Sequence, residues 1–399
     1  MQIAGIIAEY DPLHAGHAWQ IRRAKELGAQ GVVCVMSPGV VQRGGFSILP
    51  AGVRVKAALL AGADLVLTLP APYAAASAEQ FAAAGVALLA GLGCVDTLVF
   101  GSETGEAAPL LEAARRLADP QLPALLHRQL EKGLPFAAAR AAALEQLHPG
   151  CAEVLARPND LLGVEYCRAI LAQKAPLTPL AVLRQGAGHG GAPAQGFASA
   201  SWLRSRTGGA ARTNPVQAVE GWADYVPSAC MELYRTAAGE GLLLDRRAAD
   251  IAILSRLRGL RPADLEAIRG VREGLEYRLL TAAGRAGSLE ELYTAMKCKR
   301  YAHARLRRLA LDAALGVEAD LPALPPYLHL AGMGPKGKEI LAMAKPALPL
   351  DSRLAKLEKT GPAAAKVAAL HAAAEDLSAL CRQRPQPAGS AYTRPLIRL

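Results

Sequence analysis

Residues 6–17 read Ile-Ile-Ala-Glu-Tyr-Asp-Pro-Leu-His-Ala-Gly-His, and this stretch decides the fold of the first part of the chain. The apolar residues 3–8 are typical of a buried strand, and residues 14–25 have the apolar spacing of a helix. A tight polar loop, residues 9–13, joins the two. A helix that begins directly after a strand directs free backbone N–H groups and the positive end of its dipole toward one spot, which favours a bound phosphate.

Two histidines stand at the start of this helix, and three interpretations of them are open. His14 and His17 lie one turn apart and face the same spot, and Gly16 lets a ligand approach the backbone. As structural residues they would only cap the helix. As a metal site they would need a third ligand, and no other His, Cys or carboxylate cluster has obvious spacing. As a nucleotide site they would stabilise negative charge on a phosphate, which the strand–turn–helix context favours.

The alternation of strands and helices continues through the first hundred residues. Further strands are predicted at residues 31–36, 65–69 and 97–100. Such alternation indicates βαβ units and a parallel sheet, in which the loops after the strands meet at one edge. We therefore expect the His14/His17 loop, the Gln42/Arg43 loop and the Gly101-Ser102 loop to converge.

The second half of the chain has a different character. A chain of 399 residues is long for one domain. Residues 205–215 are polar and glycine-rich, which is typical of a domain boundary, and the pattern beyond them is mostly helical. The sequence therefore predicts an α/β fold, with a Rossmann-like parallel-sheet domain in residues 1–210. A mostly α-helical, basic domain is predicted in residues 211–399.

Composition narrows the class of protein. The net charge of +10 fits a polyanionic partner such as nucleic acid, although a generally basic proteome would produce the same balance. The seven cysteines include no Cys-x-x-Cys pair, so they support neither a disulfide framework nor a zinc ribbon. No signal peptide and no apolar run long enough to span a membrane is present. We expect a cytoplasmic protein without a membrane segment.

Residues 297–308, which read Lys-Cys-Lys-Arg-Tyr-Ala-His-Ala-Arg-Leu-Arg-Arg, form the densest basic run of the chain. One interpretation is an ordinary solvated helix face. The other is a track for an RNA backbone, with Tyr301 as a ring on which a base stacks. The candidate tRNA-binding residues in this run are Lys297, Lys299, Arg300, Arg305, Arg307 and Arg308.

Several segments, in order along nearly the whole chain, resemble one family. These segments are EYDPLHAGH (9–17), VQRG (41–44), AGADLVLTLP (61–70), SAEQFA (77–82), FGSETG (100–105), PNDLLGVEY (158–166) and KCKRYAHARLRR (297–308). As a set they resemble the tRNA(Met) cytidine acetate ligases. The His-x-Gly-His stretch, together with Ser-Ala-Ser-Trp-Leu-Arg at 199–204, resembles the wider nucleotidyltransferase superfamily.

The resemblance implies ATP-dependent acetylation of N4 of the wobble cytidine of elongator tRNA(Met), with acetate as the acyl donor and AMP and pyrophosphate as products. It also implies the residues of an ATP site. These residues are Ile7, Ala8, Glu9, Tyr10, Asp11, Pro12, Leu13, His14, Ala15, Gly16, His17, Ala18, Trp19, Gln20, Gly101, Asn159 and Arg184. The chain departs from the family at Asp11, where Asn is usual, and in residues 45–50, which lack the common Asp-Lys-Trp. An aspartate there places a negative charge close to the expected phosphates.

The chemistry assigns roles to these residues. Acetate becomes reactive when its carboxylate attacks the α-phosphate of ATP, and His14 and His17 suit that phosphate as catalytic residues. Arg184 and Arg204, with Ser201, suit the β- and γ-phosphates, because guanidinium binds phosphate bidentately. Mg²⁺ is expected with the triphosphate, with few protein ligands of its own, and no protein metal site is predicted.

Two other functions fit parts of the sequence. A nucleotidyltransferase that acts on a small phosphorylated molecule would use the same histidines, but it would not need a basic second half. An RNA-binding protein with a degenerate nucleotide site would account for the departures at Asp11 and in residues 45–50. Incorporation of labelled acetate into tRNA separates both from the ligase.

Overall fold

The computed structural model describes residues 1–186, 192–207, 214–272, 274–298 and 301–399. The predicted domain boundary at 210/211 and the candidate residues Lys299 and Arg300 lie outside this part of the chain. The strands in it are β1 (Ile3–Ala8), β2 (Gly31–Met36), β3 (Val40–Val41), β4 (Gly45–Phe46), β5 (Leu65–Thr68), β6 (Thr97–Ser102), β7 (Thr178–Leu183), β8 (Leu328–Met333), β9 (Leu350–Asp351) and β10 (Ile397–Arg398).

Helices account for most of the remaining structure. The helices of the first half are α1 (Ala15–Glu26), α2 (Ala51–Leu60), α3 (Ala71–Ala74), α4 (Ala78–Leu92), α5 (Ala107–Arg116), α6 (Leu122–Glu131), α7 (Phe136–Leu147), α8 (Pro158–Gln173) and α9 (Ala200–Arg206). Those of the second half are α10 (Pro215–Glu220), α11 (Ser228–Gly239), α12 (Arg246–Arg258), α13 (Pro262–Leu265), α14 (Leu275–Arg285), α15 (Leu289–Met296), α16 (His303–Leu315), α17 (Gly337–Met343), α18 (Leu354–Leu357), α19 (Pro362–Leu380) and α20 (Ser390–Thr393). In the described residues, no helix is both long and apolar enough to cross a membrane.

The main sheet has the strand order β10-β8-β5-β2-β1-β6-β7, with β9 beside β8. The predicted α/β class is confirmed, and the pairs β5–β2, β2–β1, β1–β6 and β6–β7 are parallel, as expected. β8 is antiparallel to β5, so the sheet is mixed. The sequence pattern missed this addition from the second half because β8 and β5 are far apart in the sequence, so no local pattern links them. An unpaired β5 edge would leave a row of backbone groups without partners.

Both faces of the sheet are covered, which is why its central strands are continuous apolar runs. On one face Ile3 and Ile7 of β1 pack with α4, α5 and α8. On the other face Ile6 of β1 packs with α1, α2 and α11. The carboxyl edge of the sheet is therefore free to carry a site, while its faces are used for the core.

The end of the chain is hydrogen-bonded to the loop that follows β2. The Gly39 amide donates to the Glu375 carboxylate of α19, and Arg382 Nη1 donates to the Ser47 carbonyl at 2.9 Å. Ser378 Oγ donates to the Gly39 carbonyl at 3.3 Å. The second half of the chain thus fixes a loop at the carboxyl edge of the sheet.

Candidate active site

The turn from β1 into α1 places the two histidine rings side by side. His14 is the N-cap residue of α1, and its Nδ1 accepts a hydrogen bond from the Gly16 amide at 3.1 Å. His17 Nδ1 accepts from the His14 amide at 3.4 Å, and the two ring centroids are 3.8 Å apart. A Cβ atom on residue 16 would lie 3.0 Å from His14 Cε1, so glycine leaves room for this ring. The capping and catalytic interpretations are therefore compatible.

The hydrogen bonds select one tautomer for both rings. A neutral imidazole has one N–H donor and one acceptor nitrogen. Because Nδ1 accepts in both rings, the proton of each neutral ring is on Nε2. Burial and the charges of Arg184 and Arg204 lower the pKa of His14 to about 3. Burial, His14 and the same two arginines lower the pKa of His17 well below its ordinary value. At neutral pH the pair therefore offers two Nε2–H donors.

A cavity opens above the start of α1. Seven of the residues predicted for the ATP site line it: His14, Gly16, His17, Trp19, Gln20, Gly101 and Arg184. Sequence reasoning missed five further lining residues: Val182, Gln185, Phe197, Ala198 and Ser199. Their positions in the sequence could have indicated them. Val182 and Gln185 lie at the end of β7, at the carboxyl edge of the sheet, and the other three residues lie just before α9.

Arg184 is positioned by a chain of polar contacts at the end of β6. Its Nη1 donates to Asn159 Oδ1 at 2.9 Å, and Asn159 Nδ2 donates to Glu103 Oε1 at 2.5 Å. Glu103 is bonded to Asp160 as well: the Glu103 backbone amide donates a hydrogen bond to Asp160 Oδ1 at 2.8 Å. A Cβ atom on Gly101 would lie 3.2 Å from Arg184 Cγ, so the arginine stem packs over a glycine. The structure brings Gly101, Asn159 and Arg184 together, as the sequence predicted.

Asp11 is buried and paired rather than directed freely at a phosphate. Its Oδ1 accepts from the Ile48 amide at 2.6 Å, and its Oδ2 lies 3.4 Å from Arg204 Nη1. Arg204 also donates to the Asp11 carbonyl. The charge that the sequence placed close to the expected phosphates is therefore matched by Arg204, which does not itself line the cavity.

The loop that departs from the family pattern holds this arrangement in place. Ile48 belongs to residues 45–50, and Arg54 of α2 is completely buried beside them. Arg54 Nε donates to the Leu49 carbonyl at 3.1 Å, and its other nitrogens donate to the Glu9 and Pro38 carbonyls. The loop therefore ties the turn after β1 to the turn after β2.

The remaining predicted ATP-site residues lie around the cavity or beneath it. Ser201 is near the cavity, since its Oγ lies 3.1 Å from the Oγ of Ser199, which caps α9. Glu9 Oε1 accepts from the Gln42 amide at 2.6 Å, so the loops after β1 and β2 converge as expected. Four residues are buried in the sheet region rather than in the cavity wall: Ile7, Tyr10, Pro12 and Leu13. Three are partly exposed without lining the cavity: Ala8, Ala15 and Ala18.

The basic run is partly exposed and partly used for packing. Arg305 is exposed, and its guanidinium carbon lies 4.6 Å from the ring centroid of Tyr301. Tyr301 is only 7% exposed, so the structure contradicts the prediction of a ring open to a stacking base. Arg307 pairs with Glu290 at 3.6 Å, and Lys297 Nζ donates to the Tyr301 carbonyl at 2.8 Å.

The basic helix touches the hairpin next to the cavity. Arg308 Nη1 donates to the Gln42 carbonyl at 3.4 Å. Gly44, at the turn between β3 and β4, lies so close that a Cβ atom there would be 2.4 Å from the Arg308 amide nitrogen. Arg43 is near enough to Arg204 and Arg307, and also to the acids Glu9 and Asp11, for their charges to act on it. The hairpin therefore connects α16 with the turn after β1.

Comparison with known proteins agrees with this arrangement. A family model described as HIGH Nucleotidyl Transferase matches residues 1–391. The fold and the paired histidines define a protein of this nucleotidyltransferase class. Relatives named tRNA(Met) cytidine acetate ligase include one from Acetivibrio thermocellus, 32% identical over 100% of both chains. Another, from Caldanaerobacter subterraneus subsp. tengcongensis, is 35% identical over 86% of both chains.

A solved structure matches the whole chain as well. The crystal structure of Thermotoga maritima TmcAL bound with alpha-thio ATP superposes with a TM-score of 0.89 at 27% identity, covering 100% of this chain and 99% of that one. The chain therefore belongs to the tRNA(Met) cytidine acetate ligase family within the HIGH nucleotidyl transferases.

Proposed function

We propose that the chain is an ATP-dependent ligase that acetylates N4 of the wobble cytidine of elongator tRNA(Met). The observation that carries this proposal is the histidine pair, whose two Nε2–H groups border a cavity that Arg184 also lines. Such a site suits the α-phosphate of ATP, because neutral donors and a fixed positive charge stabilise negative charge that develops there.

The reaction proceeds in two steps that need no protein nucleophile. An acetate oxygen attacks the α-phosphorus, the bond to the bridging β-phosphate oxygen breaks, and pyrophosphate leaves with the electron pair. The cytidine N4 amine then attacks the acetyl carbonyl, AMP leaves with its electron pair, and N4 loses a proton. His14 and His17 donate to the α-phosphate, while Arg184, Arg204 and Ser201 bind the departing pyrophosphate.

Bound triphosphate also changes the electrostatics of the histidines. The charges of Arg184 and Arg204 contribute to the low pKa of both rings in the free protein. Phosphate oxygens offset these charges, so the pKa of each ring rises when ATP binds. Bound phosphate therefore makes protonation of the two rings less unfavourable than it is in the free protein.

Mg²⁺ fits this site as an ion that arrives with the nucleotide. His14 and His17 use Nδ1 for backbone contacts, and the described residues that line the cavity include no carboxylate. Phosphate oxygens and water would therefore be the main ligands of the ion, which would supply neutralising charge to the triphosphate.

A cytoplasmic location follows in this proposal from the tRNA substrate. We also propose that residues 1–210 carry the catalytic site and residues 211–399 the tRNA-binding surface, while β8 and β10 of the second part complete the sheet of the first. The basic run favours a polymer over a small phosphorylated acceptor.

One assay tests the function. The protein is incubated with ATP, labelled acetate and elongator tRNA(Met), and the tRNA is digested to nucleosides. Labelled N4-acetylcytidine at the wobble position is the expected product, and initiator tRNA serves as the control. Pyrophosphate release with a small phosphorylated acceptor, without labelled tRNA, would support the second candidate. Binding of tRNA without turnover would support an RNA-binding protein.

A further inference from the structure

A second cavity, separate from the nucleotide site, has four arginines among its eleven lining residues. It encloses about 300 Å³ and lies between the start of α4, the loop before α14 and one face of α16. Its guanidinium groups are those of Arg269, Arg272, Arg305 and Arg308, and Asp312 is the carboxylate among its lining residues. Arg305 and Arg308 are three residues apart on α16, so their side chains share one face of the helix.

The carboxylate in this cavity is already neutralised. Arg269 binds Asp312 with two parallel hydrogen bonds, Nε to Oδ2 at 3.0 Å and Nη2 to Oδ1 at 2.8 Å. The third contact of Arg269 is to the Pro72 carbonyl at 2.7 Å. The acidic residue of the first turn of α4, Glu79, pairs with Arg168 at 3.4 Å instead. Both oxygens of Asp312 are therefore hydrogen-bonded to Arg269, although the Asp312 charge still acts on Arg308.

Three further arginines, Arg272, Arg305 and Arg308, line the same cavity. Within the described ranges, Arg272, Arg305 and Arg308 form no ion pair with a carboxylate. Arg305 contacts the Tyr301 ring, and Arg308 donates to a backbone carbonyl. Burial and the neighbouring charges of Arg269 and Arg305 lower the pKa of Arg308, although Asp312 opposes this. Guanidinium groups that line one cavity repel each other, and a bound anion reduces this repulsion. The cavity therefore favours the binding of an anion.

We propose that this arginine cavity binds a backbone phosphate of the tRNA, through Arg272, Arg305 and Arg308. The inference rests on the proposed function and deepens it, because it assigns the tRNA a defined docking point outside the nucleotide site. Phosphate suits the site since planar guanidinium groups bind its oxygens bidentately, whereas a lone carboxylate would use only part of the charge.

Two features favour an RNA chain over a free phosphate ion. The volume of the cavity exceeds what one small ion needs, and Arg272 and Arg305 are exposed at its edge, continuous with the basic run.

The cavity is also connected to the nucleotide site. Arg308 donates to the Gln42 carbonyl, and the Gln42 amide donates to Glu9, which follows β1. A chain held by Arg308 is therefore held beside the hairpin that borders the catalytic turn.

The test compares Arg272→Ala with Arg128→Ala, which removes an equally exposed arginine from α6. Arg272→Ala is expected to weaken binding of elongator tRNA(Met) about tenfold and to reduce the slope of log affinity against log salt by about one. Arg272→Lys should recover most of the salt slope, because it keeps the charge. Formation of acetyl-adenylate without tRNA should be unchanged in all three variants, which also shows that they fold.

The outcomes separate the docking site from the function. If affinity and salt slope are unchanged in Arg272→Ala, the docking site is wrong, even when the wild-type protein acetylates tRNA. If the wild-type protein binds tRNA through Arg272 but does not acetylate it, the docking site holds and the proposed function fails. Titration with inorganic phosphate at constant ionic strength distinguishes a tRNA backbone phosphate from free phosphate as the ligand of the cavity. Loss of phosphate binding in Arg272→Ala with unchanged tRNA binding would assign the cavity to free phosphate and overturn the proposal.

Discussion

At the scale of single residues, the site depends on how two histidines share one helix start. Each Nδ1 accepts a backbone N–H group, so capping fixes the tautomer and leaves Nε2–H for a ligand. Gly16 provides the space that this arrangement needs. The same contacts that stabilise the first turn of α1 therefore determine what the rings can donate.

The first prediction concerns catalysis by this pair. His17→Ala should reduce formation of acetyl-adenylate by about 10²–10³-fold, because it removes one preorganised donor from the α-phosphate. Binding of tRNA should remain, since the basic run is unchanged. The measurement is acetate-dependent exchange of labelled pyrophosphate into ATP, with the exposed His127→Ala as control. Loss of adenylate formation together with tRNA binding would indicate that His17 is a structural residue.

The second prediction concerns pH. The pKa of His14 is about 3 in the folded protein, below its ordinary value of 6.5. Below pH 6.5 the unfolded chain takes up a proton that the folded chain does not, so stability is full above pH 6.5 and is lost as the pH falls toward 3. The loss approaches about 1.4 kcal/mol per pH unit for one histidine.

Urea unfolding between pH 7 and pH 5 measures this loss. The His14→Gln variant should lose about 1 kcal/mol less per pH unit than the wild-type protein. His127→Gln should behave like the wild-type protein, because the His127 side chain is 74% exposed. An equal pH dependence in His14→Gln and the wild-type protein would mean that His14 is protonated in the folded state.

At the scale of elements, the short β3–β4 hairpin connects the two functional regions. Its Gln42 amide bonds Glu9 after β1, and its Gln42 carbonyl accepts from Arg308 of α16. Gly44 has φ +79° and lies against the backbone of α16. The hairpin therefore connects the basic helix to the turn after β1 through direct contacts.

The third prediction tests this contact. Gly44→Ala should destabilise the protein by about 1–3 kcal/mol, because a Cβ atom suits neither the left-handed backbone nor the space beside Arg308. Gly45→Ala is the matched control, since nothing lies within 4 Å of the Cβ atom that it adds. The free energy of unfolding and the tRNA affinity are measured for both variants. Equal stability of the two variants would show that the hairpin and α16 separate easily.

At the scale of the whole molecule, the second half of the chain completes the first. β8 extends the sheet beside β5, and Glu375, Ser378 and Arg382 bind the loop after β2. This loop in turn donates the Ile48 amide to Asp11. The stability of the catalytic edge therefore depends on residues more than 300 positions away in the sequence.

The fourth prediction follows from this dependence. Arg382 is 2% exposed, and Arg382→Met would leave the buried Ser47 carbonyl without its donor. The variant should lose about 2–4 kcal/mol of unfolding free energy, with a higher KM for ATP because the loop beside Asp11 loosens. Arg384→Met, at an exposed position, is the control. Unchanged stability and KM in Arg382→Met would show that the loop is held by its other contacts.

The resemblance to a known family supplied most of the predicted residues of the cavity wall. The sequence by itself determined the class of fold and the strand–turn–helix that carries the two histidines. These features are local or periodic: apolar runs specify buried strands, and His-x-Gly-His specifies a helix start with two rings on one side. Only the tertiary structure decided that Asp11 is neutralised by Arg204, that Tyr301 is buried, and that four arginines from separate segments form one cavity. Charge pairing and burial depend on contacts between residues distant along the chain, and no short sequence pattern encodes them.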